Sequence, residues 1–229
     1  MDLLTREELG EPRFFASAFS QQVTEGNIRT KAEHGGGPVY DIGVYCINAA
    51  RYLFRSEPSE VMAFSATNET DPRFRDIDEQ VSVMMRFPEQ RLASFTVGFG
   101  ASKEGFYDVV CTEGRVRLDP AYTHTEALRR EITTAKGKPK VSKFKKRDQV
   151  SAELVYFAEC VTEDQTPEPS GHEGMADVRV IEAIHQSLQA GAPAPVKAVE
   201  RQRRPSLDQE RKEPAHGSPE TVHVQSPNR

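Results

Sequence analysis

A carboxylate and a phenol four residues apart, Asp41 and Tyr45, lie in the stretch HGGGPVYDIGVYCINAARYLF, residues 34–54. Three glycines and a proline lead directly into it. Helical spacing puts Asp41, Tyr45, Asn48 and Tyr52 on one face, with Val39, Ile42, Cys46, Ala49 and Leu53 as an apolar stripe roughly opposite. Tyrosine and asparagine are unusual choices for a solvated helix face. The glycines leave the backbone bare of side chains, as a bulky polar ligand requires. An ordinary amphipathic helix, entered through Gly37 with Pro38 at its first position, accounts for the same spacing. Three roles are open for the glycines: a phosphate cradle, a hinge, or the floor of a sugar site.

The phosphate cradle fails on spacing. A dinucleotide fingerprint needs G-x-G-x-x-G, but the sixth position counted from Gly35 is Tyr40, and from Gly98 it is Lys103. No GxxxxGK[ST] occurs, and no βαβ alternation offers a parallel nucleotide-binding sheet. Metal chemistry is not indicated: the six histidines lack HxxxH spacing, and Cys46, Cys111 and Cys160 lack a CxxC pair. No serine sits in a G-x-S-x-G elbow.

The elements that must position the glycine-led helix follow from periodicity. RFFASAFS, residues 13–20, reads as a strand. In DEQVSVMMRFP, Val81, Val83, Met85 and Phe87 alternate with polar neighbours, and in RLASFTVGFG, Ala93, Phe95, Val97 and Phe99 share one face. Short turns between SEVMAFSATN, these two, GFYDVVC, RVRLDP, EALRREITT and KVSKFKKR imply an antiparallel meander. Two helices close the domain. Asp148 caps the first, with Val150, Leu154, Phe157 and Val161 in one stripe; Ser170 and Glu173 form a capping box for the second, which ends at Gly191 and Pro193. The fold class is α+β: a large, mostly antiparallel open sheet with helices packed on one face.

GGGPVYDIGVYCINAARYLF resembles the G-G-G-x-x-x-D-x-G-x-[HY] segment of the Gfo/Idh/MocA oxidoreductases, most closely the glucose–fructose oxidoreductase-like branch. ELGEPRFFASAFSQQV, RDQVSAELVYFAECV and PEPSGHEGMADVRVIEAIHQS resemble that family's first strand after the nucleotide-binding domain and its two closing helices, so the likeness runs over roughly residues 5–197. It implies a dihydrodipicolinate reductase-like C-terminal domain over residues 1–199, which binds substrate and builds the oligomer. The N-terminal Rossmann domain, its NAD or NADP site and its E-K-P lysine are expected to be absent from this chain. The resemblance also implies roles: Asp41 and Tyr45 as the catalytic pair, Gly36 and Gly37 as the floor beside a sugar or polyol, and Arg29, Lys31 and Asn48 as substrate contacts. Tyr45 would hold the reacting hydroxyl and take or return its proton. A phenol, with an ordinary pKa of about 10, is a poor base at neutral pH unless a cation stands beside it. Arg29 and Lys31 read more readily as solvated loop residues than as ligand contacts, and Arg51 as a helix-surface salt-bridge partner at least as readily as a ligand contact.

Bulk composition bounds the partners. With 30 Lys plus Arg against 35 Asp plus Glu, the net charge of −5 offers no general attraction to nucleic acid or an anionic membrane. KGKPKVSKFKKR carries seven basic residues in twelve, which suits a charged edge hairpin better than a nucleic-acid patch. No apolar run is long enough to span a bilayer, and unpaired cysteines suit the cytoplasm. Residues 200–229 have little to bury and are expected to form a disordered polar tail. The sheet face without helices needs a cover, so a homo-oligomer is expected. The competing expectation is a non-catalytic sugar-binding or interaction module of the same fold.

Overall fold

The computed structural model describes residues 9–123, 126–135 and 137–199, together with Arg211 and Pro214. Its centre is a nine-stranded sheet: β1 (Pro12–Ser20), β2 (Glu60–Ala66), β3 (Gln80–Phe87), β4 (Arg91–Gly98), β5 (Glu104–Cys111), β6 (Gly114–Leu118), β7 (Arg129–Thr134), β8 (Lys140–Lys143) and β9 (Ala194–Pro195). The spatial order is β8-β7-β6-β5-β1-β4-β3-β2-β9. Two antiparallel meanders, β2-β3-β4 and β5-β6-β7-β8, are therefore separated by β1. β1 runs parallel to β4 and antiparallel to β5. A single meander does not describe this. After β1 the chain crosses the sheet on one face before entering β2, and the first meander then brings β4 back beside β1. Lys140 and Lys143 of the basic run lie on β8 at the sheet edge, where charge discourages pairing with another edge.

Alternation decides the faces. Val81, Val83, Met85 and Phe87 of β3 are buried, as are Ala93, Phe95 and Val97 of β4. These point toward α1 (Val44–Phe54) and α3 (Gly171–Ala190), whose buried residues Cys46, Ile47, Ala50, Val180, Ile181 and Ile184 complete the core. The other face carries Phe14, Phe64, Met84 and Leu92, each more than 40% exposed, around the small residues Ala16, Ser82, Ser94 and Thr96. Its middle is a shallow apolar trough of about 360 Å³.

Three local expectations change. The glycine-led helix opens with a wide π-type turn, Val39–Gly43, before α1 begins. That turn rotates the buried stripe from Val39 and Ile42 to Cys46, Ile47, Ala50 and Phe54, leaving Ala49 and Leu53 only partly buried. The Ser170–Glu173 capping box does not form, because the Glu173 carboxylate turns inward to Arg51. α2 (Gln149–Thr162), capped by Asp148 Oδ1 accepting from Ser151 N at 2.8 Å, exposes the stripe Val150, Leu154, Phe157 and Val161. Periodicity tells which residues share a face, not what that face meets. Of the 200–229 segment, Arg211 pairs with Glu159 and lies over the Tyr156 ring, and Pro214 bridges to Arg147; the rest is outside the described residues. Among the described residues no helix is long and apolar enough to cross a membrane.

Candidate functional site

The site is assembled where β1, the glycine loop and α1 meet. Arg29 lies in a single 3-10 turn, Ile28–Thr30, whose start is fixed by Asn27 Oδ1 accepting from Arg29 N at 3.0 Å. Its guanidinium Nε donates to Asp41 Oδ2 at 2.8 Å, with both side chains about a quarter to a third exposed. Asp41 is the third residue of the π-type turn, and Tyr45 is the second residue of α1. The Tyr45 ring is half exposed. It stands edge-on to Phe19 at 5.8 Å and tilted to Tyr122 at 6.2 Å, while Phe19 and Tyr122 stack at 5.2 Å. An ion-paired carboxylate and a phenol on an aromatic wall suit a hydroxylated ligand: polar groups hold hydroxyls and rings cover C–H faces.

Behind this wall the polar groups are buried and satisfied. Ser17 Oγ donates to the Phe106 carbonyl at 2.8 Å and shares a 2.8 Å hydrogen bond with the Tyr122 hydroxyl. Burial pushes the Cys46 thiol up to about 11, and the Tyr107 phenol up to about 12. Burial also raises the Tyr122 phenol, with the nearby Cys46 adding to the rise. A thiol held protonated is no nucleophile, so Cys46 belongs to the core.

The glycines have other work than the sequence suggests. A Cβ on Gly36 would come within 2.6 Å of the Arg29 and Lys31 carbonyl oxygens, so its bareness admits the chain's own backbone. Gly35 and Gly37 take positive φ, 72° and 109°, a region open to glycine. All three N–H groups already donate: Gly35 to Ala32 O, Gly36 to Lys31 O and Gly37 to Arg29 O, at 2.9–3.0 Å. No free N–H remains for a phosphate, so the loop does not fit the pyrophosphate of NAD or NADP. The Lys31 side chain is exposed, and its carbonyl closes the loop.

Asn48 and Arg51 turn away from the pair. Asn48 Nδ2 donates to Asp177 Oδ2 at 3.0 Å. Arg51, expected on the surface, is fully buried; it pairs with Glu57 and Glu173, 2.5 and 2.7 Å away, and with Asp177. Burial raises the Asp177 carboxyl above its ordinary value, against the pull of Arg51. Arg51 continues the Ile47–Ala50–Phe54 stripe, and Glu173 and Asp177 sit four apart on α3, but nothing in either segment names the other as its partner. The substrate-contact role expected for Asn48 therefore has a structural competitor.

The Gfo/Idh/MocA C-terminal domain model matches residues 1–117, half of the chain. The chain belongs to the Gfo/Idh/MocA family. D-xylose 1-dehydrogenase (NADP(+)) 2 of Haloferax volcanii is 30% identical over 192 residues, 82% of this chain and 58% of the relative. A dTDP-3,4-didehydro-2,6-dideoxy-alpha-D-glucose 3-reductase of Saccharopolyspora spinosa is 28% identical over 83% of this chain and 59% of its own length. Among solved structures, the aldose-aldose oxidoreductase of Caulobacter crescentus complexed with glycerol superposes with a TM-score of 0.78 at 28% identity, covering 85% of this chain and 58% of that one. The Gfo/Idh/MocA chain described here thus spans less than two thirds of the length of these relatives, which are sugar dehydrogenases and reductases.

Proposed function

We propose that this chain holds a sugar or polyol for oxidation or reduction at a CH–OH carbon, as the substrate-binding and assembly part of an NAD- or NADP-dependent oxidoreductase. The observation that carries the reading is the Asp41 carboxylate aimed by Arg29 and, four residues on in the same helical segment, a half-exposed Tyr45 set against the Phe19–Tyr122 wall. In this reading Tyr45 Oη holds the reacting hydroxyl and exchanges its proton. Asp41, fixed by Arg29, accepts a hydrogen bond from a neighbouring hydroxyl. Lys31 and the Gly36–Gly37 turn border the ligand, and Asn48 braces the helix through Asp177. A dinucleotide-binding domain supplies the hydride partner. The described residues form no such domain, and the chain is inactive without one. The exposed stripe on α2 is apolar surface of the kind such a domain would cover. The open sheet face pairs two copies of the chain, and three free, buried cysteines fit a cytoplasmic setting.

The test is Tyr45→Phe in this chain fused to a relative's dinucleotide-binding domain, with D-xylose as substrate. Loss of the proton-transfer group should lower turnover by about 10²- to 10⁴-fold. Unchanged turnover removes Tyr45 from the mechanism. A second reading, favoured by the lack of a dinucleotide-binding domain among the described residues, is a sugar-binding module without redox chemistry. A fused protein that binds D-xylose and the cofactor but never transfers hydride would select it.

A further inference from the structure

The glycine loop has a second side. Across it from the Arg29–Asp41 pair lies a cavity of about 740 Å³, a volume typical of small-molecule sites. Its lining includes Gly35 to Gly37 and the β2–β3 connection, but neither Asp41 nor Tyr45. Here Tyr40, at the start of the π-type turn, stacks on His185 of α3 with ring centroids 5.1 Å apart. The contact closes an antiparallel series, since Asn48 meets Asp177 and Arg51 meets Glu173 further along the same two helices. His185 Nε2 is buried and, among the described residues, has no hydrogen-bond partner.

The charges around this platform are uneven. Glu69, Asp76 and Asp78 line the cavity against a single cation, Arg75, and among the described residues no ion pair neutralises the three carboxylates. Burial lowers the His185 pKa, with Asp78 opposing, so the imidazole adds no charge at neutral pH. Carboxylates accept hydrogen bonds from vicinal hydroxyls, Arg75 donates to them, and the aromatic pair offers a flat face to C–H groups. The same carboxylates repel a diphosphate.

We propose that this cavity is a binding site for a neutral polyhydroxylated ligand, an unphosphorylated sugar, and that it rejects sugars carried on a nucleoside diphosphate. The ligand class rests on the sugar reading above, whereas the place rests on the cavity itself. The site is separate from the Tyr45 wall and shares only the glycine loop with it.

The experiment is an NMR titration of the isotopically labelled chain with D-xylose and, separately, with dTDP-glucose. Ile77 and Val81 methyls report the cavity; the Tyr45 and Phe19 rings report the wall. D-xylose should shift the cavity reporters saturably, with a dissociation constant in roughly the millimolar range. Asp78→Asn should weaken that binding by about fivefold or more and leave the wall reporters unchanged. dTDP-glucose should leave the cavity unshifted until Glu69→Lys and Asp76→Lys, both at exposed positions, reverse the charge. D-xylose shifts confined to the wall would sink the cavity proposal and leave the oxidoreductase reading standing. Shifts confined to the cavity would do the reverse, and shifts at neither would remove both. Binding of dTDP-glucose to the unaltered cavity as strong as that of D-xylose overturns the charge argument.

Discussion

Arg29 Nε lies 2.8 Å from Asp41 Oδ2, across a loop that doubles back through three glycines. The pair is partly solvated, so its contribution to stability is small, about 1 kcal/mol or less. Its weight lies in aiming the carboxylate. Arg29→Ala should leave the urea midpoint almost unchanged, while the fused enzyme loses about tenfold or more in kcat/KM for D-xylose, as a misaimed hydrogen bond does. A large loss of stability with normal kinetics would mean that the pair is a structural tie.

Gly36 is a sharper probe of the same loop. Gly36→Ala drives a Cβ against two backbone oxygens that cannot swing away. A cost of roughly 1–3 kcal/mol is expected, together with altered Arg29 and Asp41 signals. Full stability and an unchanged loop in the alanine variant would show that the backbone has slack there.

Arg51 anchors α1 to α3 from full burial. Arg51→Met removes the buried cation that Glu57, Glu173 and Asp177 share, and should cost about 3–5 kcal/mol in chemical denaturation. Arg51→Lys should also destabilise, because one ammonium cannot reach three carboxylates in a fork. A loss under about 1 kcal/mol for Arg51→Met would mean that the carboxylates protonate or move at little cost.

His185 sets a pH dependence. Burial lowers its folded-state pKa below the ordinary 6.5, so between the two values the unfolded chain binds more protons. Its contribution is present above pH 6.5 and is lost as pH falls toward the folded value. His185→Phe, which keeps a ring against Tyr40, should flatten the stability profile just below pH 6.5. An imidazole titrating above 6.5 by NMR would contradict this.

The open sheet face yields a prediction about assembly. Phe64 and Met84 stand on it at 67% and 51% exposure, flanking the trough. The chain should run as a dimer or larger by light scattering at micromolar concentration. Met84→Lys should shift it to a monomer by burying a charge without a partner. A wild-type monomer would mean that the face is covered by something else.

The strands were legible because alternation is local: Val81 to Phe87 shows its buried face to any reader of the sequence. The four-residue spacing of Asp41 and Tyr45 is local in the same way, whereas the partners the structure gives them, Arg29 for one and Phe19 and Tyr122 for the other, are not. Arg51 was not legible, because an arginine on an apolar stripe becomes interpretable only when Glu173 and Asp177 arrive from a helix more than 120 residues later. The glycines misled in a similar way. Their absence of side chains is visible, but what fills the space, the Arg29 and Lys31 carbonyls, is a tertiary fact.

By itself the sequence determined β1 to β8 and the three longer helices in outline, the α+β class and the family, since period and motifs are written in neighbouring residues. The tertiary structure alone decided that β1 lies between two meanders, that α2 turns its apolar stripe outward, and that the glycine N–H groups are engaged. It also decided that Tyr40 and His185 border a cavity away from Tyr45. Each of these depends on which distant segment packs against which, and side-chain period along one segment carries no record of its partner.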